Sequence, residues 1–487
     1  MREAGKLGRG GMPLLLINPW IYDFAAYDFF AKPLGLLYLA GLLEARGFAV
    51  NFLDCLGAPA ARGPFGTGRY PKEILPTLPP LQDIPRRYGR YGISPAEFQA
   101  QLSRLPAPGA ILVTSLMTYW YPGVAEAIRL ARRRFPGTPV LLGGIYATLC
   151  PEHARAHSGA DLVVTGPGEA AVLRHLEELL DMPANPEKTS FPKTQTSSEG
   201  RGRGEKLGTP PPSLLPQVEG EVGSRNEKPH AREGSLDSLP YPALHLLPQL
   251  SYIPILTSRG CPLSCAYCAS HRLQPTYQRR RPLAVVEELS HWQERLGLRD
   301  VAFYDDALLV APEEHLLVIL EELARRGLSF RFHTPNGVNA RLISPRVAAW
   351  LKRGGCATLR LGAETTTLGE ARLDQKLQEG DLELALANLR EAGFRPEDPG
   401  VYLLVGLPYQ EEADIAASIR RVQELGATPV LAQYSPIPGT ALWPRALECS
   451  RYDLANEPLC HNNSLFPCLP QFSWEPYTRL KRLAAGL

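Results

Sequence analysis

Three of the nine cysteines in this 487-residue chain, Cys261, Cys265 and Cys268, fall within the stretch Thr-Ser-Arg-Gly-Cys-Pro-Leu-Ser-Cys-Ala-Tyr-Cys-Ala-Ser-His at 257–271. Thiolates crowded this closely need a positive partner, and a metal centre supplies one. Buried free cysteines have no reason to keep such a spacing. A structural zinc site wants four closed ligands, usually from two separated pairs. His271 can complete a Cys-Cys-Cys-His set, but all four ligands would then share one short loop. An iron–sulfur cube takes its cysteines from a single run, and three of them leave one iron open to another molecule. The residue pattern favours the cube over zinc.

The elements that must position this loop follow from periodicity. A short apolar run, Ile253 to Leu256, leads into it, and from there a six-fold alternation can be counted. Strands are predicted near 253–258, 300–305, 329–334, 357–362, 400–406 and 428–434, with helices at 283–296, 313–326, 345–353, 381–393 and 411–425. That describes a parallel barrel shorter than the eight-stranded type, with its chemistry at the carboxyl ends of the strands.

The CxxxCxxC spacing, Tyr267 before the last cysteine and Arg259-Gly260-Cys261 at the start together resemble the signature of the radical S-adenosylmethionine (SAM) enzymes. The resemblance implies a [4Fe–4S] cluster on Cys261, Cys265 and Cys268. Its open iron would chelate SAM, and an electron from the cluster would cleave SAM to a 5′-deoxyadenosyl radical. It also implies a partial (β/α)6 TIM-type barrel as the radical SAM core. Around SAM it places Tyr267, Asp305, Asp306, Asn336, Glu364 and Val405. The acidic pair Asp305–Asp306 would lie near the SAM ammonium, Asn336 and Glu364 near its polar parts, and the segment from Val405 against the adenine. Ser435-Pro436-Ile437-Pro438-Gly439-Thr440 after the sixth strand is typical of several subfamilies. Each residue also has a plainer role. Asp305 and Asp306 can cap a helix, His333 can be a satisfied wall residue as readily as a proton carrier, and Glu364 can pair with Arg360.

Ahead of the barrel, Pro13–Asn18, 48–54, 110–115, 140–144 and 161–165 read as short apolar strands alternating with helices at 33–47, 122–135 and 169–180. The pattern predicts a doubly wound parallel sheet whose ligand sits at the carboxyl ends of the strands. A proline-rich passage at 58–108 is expected to be an ordered excursion over the surface with one short helix near 95–105. The loops at the strand ends are rich in small and hydroxyl residues, which let backbone approach a large flat ligand. Ser115-Leu116-Met117 followed by Gly143-Gly144 resembles the cobalamin-binding domain of B12 enzymes. By that resemblance Asn18, Thr114, Ser115, Gly143, Gly144 and Gly166 would line a cobalamin pocket. The loop after Asn18 contains no histidine, so no imidazole from that loop can ligate cobalt from below. Tyr119–Trp120 reads as pocket wall or domain contact.

The expected organisation is therefore a cobalamin-binding-like α/β domain over 13–181, a disordered linker over 182–238, the barrel over 239–441 and a tail over 442–487. Ser, Thr, Gly, Lys, Glu and Pro dominate the linker, too little apolar surface to offset ordering entropy. In the tail, Cys449, Cys460 and Cys468 are too loosely spaced to demand a second cluster. The tail is expected to pack across the barrel mouth, with 474–483 as a closing helix. A formal charge of +2 gives no broad attraction to nucleic acid, and no apolar run reaches the length of a membrane span. Scattered cysteines and an N-terminus without a secretory pattern point to the cytoplasm. The resemblances together imply a cobalamin-using methyltransferase that draws electrons from a reductant such as flavodoxin or ferredoxin. Two alternatives stand beside it: a radical SAM enzyme without cobalamin doing rearrangement, cyclisation or methylthiolation, and a non-catalytic corrinoid or redox sensor. The small-molecule or peptide substrate is not legible.

Overall fold

Pro13–Asn18 reads Leu-Leu-Leu-Ile at its centre because both of its faces are covered. Leu14 and Leu16 pack with Leu36, Leu43 and Leu176 on one side. Leu15 and Ile17 pack with Val124, Ile128 and Tyr146 on the other. Such two-sided burial produces continuous apolar strands. The computed structural model describes residues 11–179, 235–366, 376–469 and 473–487. In the N-terminal module the strands Leu162–Val163, Val140–Leu142, Ala110–Val113, Pro13–Asn18 and Ala49–Asp54 lie side by side in that order, all parallel. Strand order reverses beside Pro13–Asn18, so the crevice at the carboxyl ends there is the natural ligand site.

The passage at 58–108 is ordered and carries two small antiparallel sheets. Lys72–Ile74 and Gly89–Tyr91 join Ile21–Asp23 in a small antiparallel sheet, and Ala61–Arg62 and Gly68–Arg69 join Tyr27–Asp28 in another. Its helix spans Pro95–Ser103, with the Ser94 hydroxyl accepting from Glu97 N–H. Tyr70, Leu81, Ile84, Tyr88 and Tyr91 are buried, so this passage is a wall between modules, not a surface excursion.

Of the linker reading, residues 182–234 lie outside the described residues. Residues 235–238 do not belong to a loose linker: the Asp237 side chain is only 2% exposed and pairs with Arg280 and Arg281. The barrel then contributes Ile253–Ile255, Asp300–Phe303, Arg331–His333, Cys356–Glu364, Pro399–Val405 and Thr428–Gln433, parallel neighbours in sequence order. Val338–Asn339 adds a short pairing beside Cys356–Glu364. Among the described residues the first and last strands do not pair, so the barrel is an open half-cylinder. Leu359, Leu361, Val401 and Leu403 face the helices, against Leu386, Leu389, Ile415 and Ile419. By alternation Thr358, Arg360 and Tyr402 face the concave side.

The N-terminal module plugs part of that concave side. Phe30 and Phe65, both at positive φ (61° and 58°), stack on His333 with ring centroids 4.6 and 4.5 Å away. His333 also bonds Asp300 and Thr358 at 3.0 Å each, which makes it a satisfied wall residue. Nearby, buried Asp28 pairs with Lys32 at 2.7 Å and accepts from the Tyr252 hydroxyl at 2.7 Å.

The first part of the tail packs at the barrel mouth, where Leu442, Ala446 and Cys468 meet Ala266, Tyr267 and Leu407, but its closing helix departs from expectation. Trp474–Ala484 packs on the helix Glu412–Glu424 and the strand Thr428–Gln433, covering the open sheet edge instead of the mouth. An edge strand presents unpaired backbone groups, and the amphipathic helix offers Tyr477 and Leu480 to the core beside it. The stretch before it clasps the N-terminal module through Asn462 to Asp23 (3.0 Å), His461 to Thr118 (2.9 Å) and Tyr121 to Glu457 (3.2 Å). Tyr119 is buried and Trp120 donates to Asp23, so this pair serves domain contact. Cys460 and Cys468 sit in an apolar cluster with Cys449 packed against it, and burial raises all three thiol pKa values. Among the described residues no helix is long and apolar enough to cross a membrane.

Candidate active site

The cysteine loop is held at both ends. The carboxylate of Asp305 accepts from Thr257 N–H (3.1 Å), Thr257 Oγ1 (2.6 Å) and Ser258 Oγ (2.7 Å), which ties the second strand to the start of the loop. Asp305 is buried, and that burial raises its pKa. Asp305 therefore braces the loop, and it does not line the cavity that holds Asp306, the other half of the acidic pair expected near SAM. Gly260, at φ 77°, makes the turn into Cys261; a side chain there would meet Thr276 O at 2.9 Å. Ser258–Arg259 then pairs antiparallel with Gln278–Arg279, bringing the loop back. Leu263 N–H donates to Cys261 Sγ (3.5 Å) and Ser270 N–H to Cys268 Sγ (3.4 Å). Burial pushes both thiols up while these N–H groups pull them down. A cluster would displace the thiol protons on binding.

All three thiols ring one cavity of about 270 Å³ at the carboxyl ends of the barrel strands, together with Asp306, Asn336, Glu364, Lys376 and Tyr402. Among the described residues no three His, Cys, Asp or Glu side chains converge on a point that could hold a single metal ion. Thiols spread around an open cavity suit a multi-iron cluster, whose irons are separate ligand positions. His271, the fourth ligand of the zinc alternative, is exposed and does not line the cavity.

Of the residues expected around SAM, Asp306, Asn336 and Glu364 are in this cavity. Asp306 accepts from the Ser270 hydroxyl, and Asn336 donates to the backbone oxygens of Tyr304 (3.3 Å) and Asp305 (3.2 Å). Glu364 sits at φ 61°, a left-handed conformation costly for a side chain, and pairs with Lys376 at 3.0 Å, not with Arg360. Val405 does not line the cavity: it is fully buried among the helices because it alternates outward with Val401 and Leu403. Tyr267 does not line it either; its ring lies 5.6 Å from the Lys376 ammonium and packs against the tail's apolar cluster. Lys376 and Tyr402 escaped the sequence reading. Tyr402 was legible as a polar residue between outward apolar ones, whereas nothing local marks Lys376.

A second cavity of about 320 Å³ opens at the carboxyl ends of the N-terminal sheet. Thr114, Ser115, Gly143, Gly144 and Gly166 all line it, with leucines from the first helix and its sheet. Asn18 does not: its amide donates to Asp54 at 2.8 Å and ties the first two strands together. Ser115 Oγ donates to Gly143 O at 2.7 Å and so shapes the rim. Gly144, at φ 94°, passes so close to Ser115 that a Cβ would lie 2.3 Å from its backbone oxygen. Gly143 and Gly166 are different. A Cβ would meet nothing nearer than 3.9 Å at Gly143 and nothing within 4 Å at Gly166, so both leave open a cradle that side chains would fill. The lining includes no histidine. Across the cavity Arg259 of the cysteine loop pairs with Glu169, and Asp306 lines this cavity as well as the barrel's.

Residues 255–422 match the family described as the radical SAM superfamily, and residues 90–175 match the B12 binding domain. The chain is 25% identical over 358 residues to an uncharacterized methyltransferase of Pyrococcus horikoshii, covering 70% of each chain. It is 24% identical over 350 residues to cytidylyl-2-hydroxyethylphosphonate methyltransferase of Streptomyces wedmorensis, covering 66% of this chain and 60% of that one. Its fold is similar to that of the radical SAM methyltransferase TsrM of Kitasatospora setae, with TM-score 0.60, 18% identity and coverage of 90% and 76%. The same TsrM fold with cobalamin and a [4Fe-4S] cluster bound gives TM-score 0.59 at 19% identity, with coverage of 90% and 75%. The cofactors that go with these two domains are a [4Fe–4S] cluster, SAM and cobalamin, and the thiol-ringed cavity and the glycine cradle fit them. The chain is a radical SAM enzyme with a B12-binding domain ahead of its barrel.

Proposed function

We propose that this enzyme is a cobalamin-dependent methyltransferase acting on an unactivated carbon or phosphorus centre. The observation that carries the reading is the shared wall: Asp306 lines both cavities, so what binds in one is adjacent to what binds in the other. When bound, the cluster supplies the electron that cleaves SAM, and the corrinoid supplies a transferable methyl group. The protein's part is placement. Cys261, Cys265 and Cys268 hold the cluster, and Asp305 fixes their loop from beneath. Asp306, Asn336 and Glu364, the last held by Lys376, offer polar groups to SAM. Thr114, Gly143, Gly144 and Gly166 bring backbone against the corrinoid, with Ser115 setting the rim. Residues 13–179 form the corrinoid-holding unit and 235–441 belong with the barrel, while the tail at 442–487 locks the two together. The electron donor is a small reductant of the flavodoxin or ferredoxin kind, in the cytoplasm.

Anaerobic reconstitution with iron, sulfide and cobalamin, followed by SAM and a reductant, tests this. The expected result is stoichiometric corrinoid alongside 5′-deoxyadenosine. Cluster and 5′-deoxyadenosine without corrinoid would turn the reading toward rearrangement, cyclisation or methylthiolation. Corrinoid and cluster without any SAM cleavage would favour a sensor.

A further inference from the structure

The concave face of the half-barrel is two unlike halves. On the first three strands it is buried throughout except for Arg331, beneath Phe30 and Phe65 from the N-terminal module. On the last three it is only half-buried at Arg360, Tyr402, Leu404, Val430 and Ala432. An enzyme that moves a group onto a separate acceptor needs room for that acceptor beside its cofactors. The open half provides it, since Tyr402 and Ala432 already line the cluster cavity.

On the three strands of this open half Arg360 is the one Lys or Arg among the described residues, and it is unusual. Arg259 pairs with Glu169, Arg280 with Glu288 and Arg331 with Asp300. Among the described residues no carboxylate pairs with Arg360. Its guanidinium donates to the Leu359 backbone oxygen at 3.2 Å, while the nearby Tyr402 hydroxyl donates to Pro335 O at 2.9 Å, which leaves most of the five guanidinium donors unused. The strand beside it is built to receive the group. Arg360 is in register with Gly400, and a Cβ at Gly400 would lie 2.8 Å from Arg360 Nη1. Tyr402 is in register with Gly362, one pleat nearer the cluster, which puts Arg360 about 6–7 Å deeper along the strands. A half-buried guanidinium with donors to spare is open to an anion carried by a ligand, which its planar fork can bind through two parallel hydrogen bonds.

We propose that this open half is the acceptor cleft and that Arg360 binds the acceptor's anionic group, so the substrate is a small organic carboxylate or phosphoryl compound. Leu404, Val430 and Ala432 receive its apolar body, and its reacting end points up toward the cluster cavity. The inference rests on the reading of the chain as an enzyme with a separate acceptor.

Equilibrium binding to the cluster-loaded protein tests it, with phenylphosphonate, phenylacetate and uncharged phenylacetamide as probes. Both acids are expected to bind about tenfold more tightly than the amide. The tighter of the two acids shows which anion the site prefers. Arg360→Gln is expected to erase the preference, and Arg360→Lys, which keeps the charge without the fork, to retain part of it. Iron content reports whether each variant is folded, and Arg360→Lys serves alone if the Gln variant loads less cluster. The proposal is overturned if acids and amide bind alike, if none binds, or if the preference survives in Arg360→Gln. Such a result leaves the methyltransferase reading intact, since no SAM or corrinoid takes part; failure to bind corrinoid strikes that reading and leaves the anion site standing.

Discussion

The two cavities share Asp306 but differ in which groups dominate them. The barrel cavity is ringed by thiols, carboxylates, an ammonium and an amide, and Cys261, Cys268, Asp306, Asn336, Glu364 and Lys376 are each held by a hydrogen bond or ion pair. The N-terminal cavity is lined mostly by leucine, valine and glycine, with the Ser115 and Thr148 hydroxyls turned onto neighbouring backbone and its charges confined to the Arg259–Glu169 pair and the shared Asp306. The first suits a charged ligand gripped at a few atoms. The second suits a large ligand accepted by shape, where absent side chains matter more than present ones. The lesson is that the barrel site should fail by losing a residue and the N-terminal site by gaining one.

The sharpest break is Cys265→Ala, which should abolish cluster loading, read as loss of iron, sulfide and visible absorbance, while corrinoid still binds. Parallel loss of corrinoid would show that the cavities are not separable. Next in size is Asp28→Asn, which strands buried Lys32 at the contact between the modules and should cost about 3–5 kcal/mol in chemical denaturation. A loss below 1 kcal/mol would mean that the aromatic stack on His333 alone sets the junction. Gly143→Val adds bulk where the cradle is open, and corrinoid affinity should fall about tenfold with iron content unchanged. Gly144→Ala is its control. The clash with Ser115 and the left-handed backbone should lower stability by about 1–3 kcal/mol before any ligand is present. The smallest effect is expected for Glu364→Gln. Weakening its pairing with Lys376 should raise the KM for SAM severalfold, with corrinoid binding unmoved.

Much of this architecture was legible in the chain. The strands ahead of the barrel and within it appear where two-sided burial makes short continuous apolar runs, and the observed strands fall within or beside the expected ones. The cysteine loop was legible for a different reason, since a cluster demands ligands at fixed spacing in one run. The antiparallel sheets of 58–108 were not, because their strands are two or three residues long and carry no period. The tail helix was found but misplaced. Its apolar face showed that it packs, without showing that the partner is an open sheet edge.

What the sequence by itself determined is what depends on near neighbours: the triad Cys261, Cys265 and Cys268, the alternation that builds both sheets, and the Ser-x-Met and Gly-Gly loops. What only the tertiary structure decided is which of two adjacent or similar residues does the work. Asp305 and Asp306 are consecutive, yet one is spent inside the loop's base and the other opens on both cavities. Asn18 ends a strand beside the expected ligand site and turns instead to Asp54. Arg360 and Arg331 lie on neighbouring strands, and only Arg331 has an aspartate across from it. The reason is physical. Spacing along a chain fixes which face a side chain can take, but whether its charge is already answered depends on groups brought near by other parts of the fold.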